Sequence, residues 1–192
     1  MELVFASSNQ NKVKEIQKVI GGKFKILSLN DIKCTEEIEE TGKTFQENAL
    51  IKARYVFEKY KLNCFADDSG LEVEALNNEP GVYSARYAGE PKSDDNNTQK
   101  LIRELSSKTN RKACFKTVIA LVIDGKEEFF EGKINGWIAL EPNGGGGFGY
   151  DPVFIPDGYD KTFAQMTLEE KNAISHRAIA TKKLVQHLAA LT

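Results

Sequence analysis

Short apolar runs alternate along this chain with longer stretches of helical periodicity, and that alternation restricts the possible folds more than any other feature. The runs typical of strands cover residues 3–6, 24–29, 64–66, 71–75, 115–124, 127–140 and 153–155, of which 71–75 alternates with polar residues as in a half-exposed strand. Apolar residues at three- and four-residue spacing predict helices over residues 11–20, 44–60, 94–105 and 174–191. Because helices and strands are interspersed throughout, the predicted class is α/β. The pair Asp124-Gly125, between two predicted strands, also predicts a tight hairpin.

The composition is that of one globular domain, predicted to cover residues 1–192. Hydrophobic residues make up 41% of the chain and charged residues 28%, which excludes the disordered and fibrous classes. The 26 basic and 28 acidic residues give a net charge of −2. That balance argues against nucleic acid or an anionic membrane as a partner, because both require a basic face.

Several classes of site and location are excluded by what the sequence lacks. No stretch approaches the ~20 apolar residues of a membrane span, and the first residues do not resemble a signal peptide. The three cysteines, Cys34, Cys64 and Cys114, form no CxxC pair, so neither a disulfide framework nor a zinc ribbon is predicted. We therefore expect a cytoplasmic protein, in which cysteines stay reduced. Only two histidines occur, too few for a zinc site built from several histidines.

Polar residues concentrate at five junctions between predicted elements, where a rigid scaffold presents side chains to ligands. The first junction separates the first strand from the first helix and has the sequence Ser7-Ser8-Asn9-Gln10-Asn11-Lys12. A helix cap formed by serine or asparagine explains this run. Exposed helix amides beside a lysine also suit a phosphate, so anion binding is the functional alternative.

The second junction imitates the end of a phosphate-binding P-loop in its sequence Glu39-Glu40-Thr41-Gly42-Lys43-Thr44. The P-loop interpretation fails, because the pattern GxxxxGK[ST] requires glycine at the position of Glu37. A capping box between Thr44 and Glu47 accounts better for the helix start. The glutamates form either a solvated loop or one oxygen ligand for Mg²⁺, and Lys52 is expected to point back toward this end of the helix.

The third junction, Asp67-Asp68-Ser69-Gly70, directly follows a predicted buried strand and is the most informative. Two adjacent carboxylates at such a place repel each other and lose hydration, so a structural role for both is hard to supply. A bound divalent cation would neutralise the pair. The sequence therefore predicts a functional site at these residues.

The fourth and fifth junctions combine glycines, an aromatic ring and cations. Residues 143–152 hold five glycines within six positions, but no predicted helix follows, so the GxGxxG pattern there is not a dinucleotide fingerprint. The loop is either a flexible hinge or a close approach to a flat ligand, with Phe148 stacked on it and Asp151 accepting a hydrogen bond. Residues 171–177 are either a helix start capped by Ser175 or a binding site for a base edge or phosphate.

Six segments carry a family resemblance that extends from one end of the chain to the other. They are Ser7-Ser8-Asn9 with Lys12, Glu40-Thr41-Gly42 with Phe45 and Glu47-Asn48-Ala49, Ala66-Asp67-Asp68-Ser69-Gly70-Leu71, Pro80-Gly81-Val82-Tyr83-Ser84-Ala85-Arg86-Tyr87, Gly146-Gly147-Phe148-Gly149-Tyr150-Asp151-Pro152 and Ser175-His176-Arg177-Ala178. In these segments and their order, the chain resembles the inosine triphosphate pyrophosphatase family. It departs from the family at Asn11 and at the extra Gly145, neither of which is expected to do chemistry.

The resemblance implies an elongated, two-lobed α/β fold with a long central mixed β-sheet flanked by helices and the active site in the cleft between the lobes. It implies Mg²⁺-dependent hydrolysis of ITP, dITP and XTP, in preference to ATP and GTP. Cleavage would fall between the α and β phosphates and give the nucleoside monophosphate and pyrophosphate, which cleanses the nucleotide pool. A homodimer is the implied assembly.

The resemblance also implies roles for individual residues. Asp68 would be the catalytic base and a metal ligand, Glu40 rather than Glu39 the second metal ligand, and Asp67 a more distant support of the metal. The residues implied around the triphosphate are Asn9, Lys12, Lys52 and Ser69. The residues implied around the purine are Phe148, Asp151, Lys171, His176 and Arg177, with Arg86 nearby. The other residues implied to bind the substrate are Ser7, Ser8, Gln10, Asn11, Gly149 and Tyr150.

The preference for 6-oxo purines has a physical basis. The 6-oxo group of hypoxanthine and xanthine accepts a hydrogen bond, whereas the 6-amino group of adenine donates one. Donors from His176, Arg177 or Lys171 would be left unpaired by adenine, at a cost of about 1–3 kcal/mol per group.

Two other functions compete with this hydrolysis. A purine nucleotide sensor or scaffold without catalysis is the alternative function, and the metal-ready carboxylates argue against it. An all-α nucleotide pyrophosphohydrolase is disfavoured, because its carboxylates repeat along helices whereas these are predicted to end a strand.

Overall fold

The apolar runs of the sequence form the strands of one mixed sheet in a computed structural model, which describes residues 2–191. The strands in this part of the chain are β1 Glu2–Phe5, β2 Lys25–Leu27, β3 Cys64–Val73, β4 Glu79–Pro80, β5 Lys112–Ile123, β6 Lys126–Ile138 and β7 Phe154–Pro156. The α-helices are α1 Gln10–Ile20, α2 Phe45–Tyr60, α3 Asp94–Glu104, α4 Leu168–Ile174 and α5 His176–Ala190. Across residues 2–191, none of these helices combines the length and the apolar character needed to cross a membrane. The predicted α/β class is confirmed.

The sheet has the strand order β2-β1-β3-β5-β6-β7, and β4 pairs with β3 outside this path. β1 runs parallel to both of its neighbours, with Leu3 opposite Ile26 and Phe5 opposite Phe65. β4 is antiparallel to β3, and β7 is antiparallel to β6. The hairpin prediction is confirmed, because Asp124 and Gly125 connect β5 to β6 with positive φ angles of 50° and 79°.

The described residues divide into two compact units, and neither unit is a continuous stretch of the chain. The first unit contains the chain up to Asp68, the segment Thr117–Gly132 and the chain from Arg177 onward. The second unit contains Ser69–Lys116 and Lys133–His176. The chain therefore passes between the units inside β3, β5 and β6 and again where α5 begins.

The core of the first unit has two layers, one on each face of its strands. Successive residues of a strand project to opposite faces, and β1 shows this directly. Leu3 and Phe5 belong to the cluster that contains the apolar side of α1 and α5, whereas Val4 belongs to the cluster that contains the apolar side of α2. β3 follows the same rule, because Phe65 joins the first cluster and Ala66 the second. This alternation sets the direction of the polar residues that come next in β3.

The core of the second unit forms around aromatic rings. Phe115 and Phe154 are in a tilted contact with ring centroids 4.6 Å apart, and Phe163 lies 5.2 Å from Phe154. Leu101 and Leu105 of the α3 region join the same cluster and are fully buried, as their helical spacing predicts.

Two element boundaries differ from the sequence-based prediction. β3 does not end at Ala66 but continues through the two aspartates to Val73, so the polar residues there are part of the strand. The last predicted helix, 174–191, is α5, which begins at His176. A further short helix that was not predicted, α4, precedes it and ends at Ser175, whose backbone angles are extended at −66° and 153°. The sequence predicts for Ser175 only a cap at the start of the final helix. Its amide donates to the carbonyl of Lys171, 2.8 Å away, which ends α4, and the cap at the start of α5 stays a prediction.

The capping box predicted for α2 is confirmed. The Thr44 hydroxyl accepts from the amide of Glu47 at 3.1 Å, and the Glu47 carboxylate accepts from the amide of Thr44 at 3.1 Å. We expect Thr44→Ala to lower the free energy of unfolding by about 1 kcal/mol, because helix amides lose their partner. Urea unfolding measures this, with Thr109→Ala as the control at an exposed threonine outside the helices. Equal midpoints for the two variants would contradict the prediction.

Candidate functional site

The two adjacent aspartates of β3 interact with different partners because they project to opposite faces of the strand. Asp67 follows Phe65 by two positions and interacts with Lys12 of α1 and Arg177 of α5. Asp68 follows Ala66 by two positions and accepts a hydrogen bond from Asn48 of α2. Both aspartates are buried. The mutual repulsion expected from their adjacency is thus relieved by separate environments.

Asn48 connects Asp68 to the loop that precedes α2. Its side-chain amide donates to Asp68 Oδ2 at 3.1 Å, and its carbonyl oxygen accepts from the Gly42 amide at 2.8 Å. Because the Gly42 amide can only donate, the amide orientation of Asn48 is fixed. Asn48 is not among the site residues predicted from the sequence. Its spacing of three from Phe45 and four from Lys52 puts it on the buried side of the helix, and that was the available signal.

Glu40 and Lys52 form an ion pair of 2.5 Å, and the charges of both act on Asp68. Burial raises the pKa of Asp68, and the Glu40 charge adds to the rise while Lys52 and Lys12 oppose it. Burial alone would lower the pKa of Lys52, but Asp68 and Glu40 outweigh it and the pKa is raised. The positive charge of Lys52 therefore interacts with both carboxylates, Asp68 and Glu40.

Asp67 belongs to a buried group of four charges. Lys12 Nζ lies 3.1 Å and Arg177 Nε 3.3 Å from Asp67 Oδ2, and a second nitrogen of Arg177 contacts the Glu15 carboxylate. Burial opposes ionisation of Asp67, yet Lys12 and Arg177 outweigh it and hold its pKa well below the usual range. Glu15 is not among the residues predicted from the sequence, and its partner Arg177 lies 162 residues away along the chain.

The first junction forms a helix cap, as one of its two interpretations predicted. The Asn9 side-chain oxygen accepts from the amides of Asn11 and Lys12, at 3.0 and 3.2 Å, and the Ser7 hydroxyl accepts from the Asn9 amide at 3.2 Å. Ser8 and Gln10 are exposed. Phosphate binding by this junction stays a prediction.

The metal ligands that the family resemblance implies are two carboxylates rather than a larger cluster. Within the described residues, no group of three or more histidine, cysteine, aspartate or glutamate side chains is arranged to hold a metal ion. Asp68 and Glu40 are nevertheless close enough for the Glu40 charge to raise the pKa of Asp68. Carboxylate oxygens are the donors that Mg²⁺ prefers, and one or two of them suffice when substrate phosphates complete the coordination.

In the second unit, the fourth and fifth junctions meet at a buried ion pair. Lys171 Nζ lies 2.6 Å from Asp151 Oδ2, and the two side chains are 4% and 3% exposed. The same nitrogen lies 4.8 Å from the ring centroid of Phe148 and 5.4 Å from that of Phe163. The Phe148 amide donates to Asp151 Oδ2 at 2.9 Å. A half-buried aromatic ring is thus placed beside a cation and a carboxylate, and such a ring can stack on another flat ring.

The glycine-rich loop packs on the protein's own backbone. A Cβ atom on Gly144 would lie 2.6 Å from the Ala164 carbonyl, and one on Gly146 would lie 3.0 Å from the same oxygen. Gly146 also donates its amide to Ala164. These glycines permit a close approach of two backbone segments, so their presence does not by itself require a flat ligand.

Gly149 and Tyr150 are held by contacts inside the second unit. The Gly149 amide donates to the Asp94 carboxylate at 2.7 Å, a partner that was not predicted from the sequence. The Tyr150 hydroxyl donates to the Ser84 carbonyl at 2.7 Å, and burial raises the pKa of that phenol. Their assignment to the substrate stays a prediction.

The remaining predicted residues lie in both units. His176 is buried and stacks on Phe115, with ring centroids 4.6 Å apart and planes 6° apart. Ser69 is half-buried in β3, and Arg86 is exposed at the end of the 3-10 helix Gly81–Arg86. Arg177, which the resemblance implies at the purine, lies with Asp67 and Glu15 in the first unit. The structure thus brings Lys171, Asp151 and Phe148 together and places Arg177 in the other group.

Comparison with known proteins gives consistent matches over nearly the full chain. The Ham1 family model matches residues 3–187. A curated protein named dITP/XTP pyrophosphatase from Flavobacterium psychrophilum is 56% identical, over 96% of this chain and 97% of its own. The protein of the same name from Bacillus subtilis is 48% identical, over 98% of each chain.

Solved structures match equally well. The Staphylococcus aureus Ham1 protein is 42% identical, covers both chains completely and superposes with a TM-score of 0.91. A HAM1 protein from Coxiella burnetii is 40% identical, covers 99% of each chain and also has a TM-score of 0.91.

Proposed function

Because the chain belongs to the Ham1 family, we propose that it hydrolyses non-canonical purine nucleoside triphosphates and so removes them from the nucleotide pool. The bond cleaved is the one between the α and β phosphates, which gives a nucleoside monophosphate and pyrophosphate. ITP, dITP and XTP are the proposed substrates, a homodimer the proposed assembly and the cytoplasm the proposed location. The names of the curated relatives support the substrate class.

The observation that carries this proposal is the pair of carboxylates, Asp68 and Glu40, beside Lys52. A protein that only bound nucleotides would have no need to bury a carboxylate next to another one. Asn48 fixes the orientation of the Asp68 carboxylate. In this proposal Asp68 orients the attacking water and accepts its proton, while Lys52 and Lys12 bind phosphate oxygens.

Mg²⁺ is the proposed cofactor, held by Asp68 and Glu40. The donor set fits, since both are carboxylates and Mg²⁺ is often bound by one or two carboxylates together with substrate phosphates. When bound, the ion would neutralise phosphate charge and lower the pKa of water. The positive charge of Lys52, which is paired with Glu40, offsets part of the negative charge of the two carboxylates.

The Phe148, Asp151 and Lys171 group of the second unit is the proposed purine site. The Phe148 ring offers a stacking surface, and the Lys171 ammonium, which has donors and no acceptor, lies 4.8 Å from the centroid of that ring. A 6-oxo group can accept such a donor, whereas the 6-amino group of adenine cannot. Discrimination against ATP by about 1–3 kcal/mol for each unpaired group would follow.

A substrate panel tests the proposed function. We expect ITP, dITP and XTP, incubated with the protein and Mg²⁺, to release pyrophosphate at least about tenfold faster than ATP, because of the 6-oxo group. The family resemblance implies the same preference over GTP, which also carries a 6-oxo group. Pyrophosphate and orthophosphate are measured separately, and EDTA is the control for the metal. Release of orthophosphate alone would place cleavage at the γ phosphate and contradict the proposal. Tight ITP binding without turnover under several divalent metals would favour a sensor instead.

A further inference from the structure

Gly147 occupies a position in which any side chain would collide with Asp151. Its φ is +72°, in the left-handed region that favours glycine. A Cβ atom there would lie 2.1 Å from Asp151 Oδ2 and 2.8 Å from both Asp151 Cβ and Cγ. A Cβ atom does not approach other heavy atoms this closely, so either the carboxylate or the loop would have to move.

The oxygen that would be displaced is the one that holds this part of the second unit together. Asp151 Oδ2 accepts from the Phe148 amide at 2.9 Å and contacts Lys171 Nζ at 2.6 Å. Rotation of the carboxylate away from a new Cβ would therefore break two contacts of a buried charge at once. Movement of the loop would instead shift Phe148, which follows Gly147 directly.

We infer that Gly147 is a positioning residue of the purine site: its missing side chain leaves the space from which the Asp151 carboxylate holds the Phe148 amide and the Lys171 ammonium together. The inference rests on the proposed function, because that function assigns purine binding to Phe148 and Lys171. Gly147 touches no substrate in this scheme and acts through Asp151.

Two other glycines of the second unit provide controls. They separate the collision with Asp151 from the general effect of replacing a glycine by alanine. Gly145, in the same loop, has no positive φ, and a Cβ atom added to it would meet no atom within 4 Å. Gly158 has a φ of +83°, and a Cβ atom added there would also meet no atom within 4 Å. Gly158→Ala therefore carries the backbone strain of Gly147→Ala without the collision, and Gly145→Ala carries neither.

The test is the steady-state kinetics of Gly147→Ala, Gly145→Ala and Gly158→Ala. We expect Gly147→Ala to raise KM for ITP about tenfold, as the loss of a charge-assisted hydrogen bond would. Its kcat should stay within about threefold of wild type, because the carboxylates of the first unit are unchanged. The ratio of ITP to ATP turnover should fall with the rise in KM. An unchanged KM, or an equal rise in Gly158→Ala, would overturn the inference.

A double variant tests whether the effect passes through Asp151. In an Asp151→Gly background, adding Gly147→Ala should change KM by less than about twofold, because all three Asp151 atoms that the new Cβ would strike are gone. An additive effect would overturn the inference. If Gly147→Ala does not fold, the same comparison uses the yield of folded protein. Recovery of folding in the double variant supports a collision with Asp151, and no recovery overturns it.

The affinity of the same variants for ITP, measured by calorimetry, tests this inference separately from the proposed function. If the wild-type protein binds ITP without releasing pyrophosphate, the proposed hydrolysis fails. Weaker ITP binding by Gly147→Ala than by Gly158→Ala would still support the role of Gly147, and equal binding would overturn it.

Discussion

Replacement of Asp68 by asparagine is expected to lower kcat for ITP by about a thousandfold and to leave the fold intact. The catalytic loss follows from removing a base and a metal ligand in one step. The fold should tolerate the change because asparagine has the same shape and still offers a carbonyl oxygen to the Asn48 amide. Burial already raises the pKa of Asp68, so a neutral side chain is not penalised at this position.

Pyrophosphate release and urea unfolding, measured on the same preparation, test both halves of this prediction. Glu40→Gln should also lose activity, because it removes the second proposed metal ligand. Glu39→Gln is the matched control, since Glu39 is the exposed neighbour of Glu40. Wild-type turnover by Asp68→Asn would remove Asp68 from its assigned role, and equal losses in Glu39→Gln and Glu40→Gln would remove Glu40 from its role.

The same substitution at the preceding residue should have the opposite profile. Asp67→Asn is expected to lower the free energy of unfolding by about 3–5 kcal/mol, because it removes a buried anion that contacts both Lys12 and Arg177. Denaturant unfolding measures the loss, with Asp68→Asn as the comparison at a neighbouring buried carboxylate. A loss no greater than that of Asp68→Asn would show that the four-charge group does not stabilise the fold.

The buried charges around Asp67 determine how the stability of the protein changes with pH. The native pKa of Asp67 lies below its unfolded value, because Lys12 and Arg177 outweigh the effect of burial. As the pH falls below the ordinary aspartate range, the unfolded chain takes up the proton first, and the native state loses stability. Asp67→Asn should therefore flatten the acid side of the stability profile. A profile as steep as that of the wild-type protein would contradict this assignment.

Local patterns in the sequence predicted the elements and several of the contacts. The capping box at Thr44, the hairpin at Asp124 and the turn of Lys52 toward the start of its helix depend on residues close together in the chain, and the structure has all three. The family resemblance is also confirmed by the Ham1 family match and by the curated relatives named dITP/XTP pyrophosphatase.

The partners of the aspartates could not be predicted in the same way. A run of polar residues ordinarily ends a strand, yet β3 continues because each aspartate has a buried partner on its own face. One of those partners, Arg177, lies 110 residues beyond Asp67 in the chain. No periodicity or spacing connects residues so far apart.

The glycine-rich loop shows a different limit of sequence interpretation. A dense run of glycines indicates that side chains are not tolerated, but it does not say what they would strike. At Gly144 the obstacle is the Ala164 backbone, and at Gly147 it is the Asp151 carboxylate. The sequence alone suggests a hinge or a close approach to a ligand, and contact with the protein itself accounts for these two positions.

The contacts of Arg177 also have a consequence for how the protein acquires activity. They join α5 to Asp67 and to Glu15 across 110 and 162 residues of chain, and contacts of such long range are slow to form during folding. A newly refolding chain should hence acquire its helical signal well before its turnover. The rate at which turnover recovers would then measure the rate at which α5, the last helix, docks.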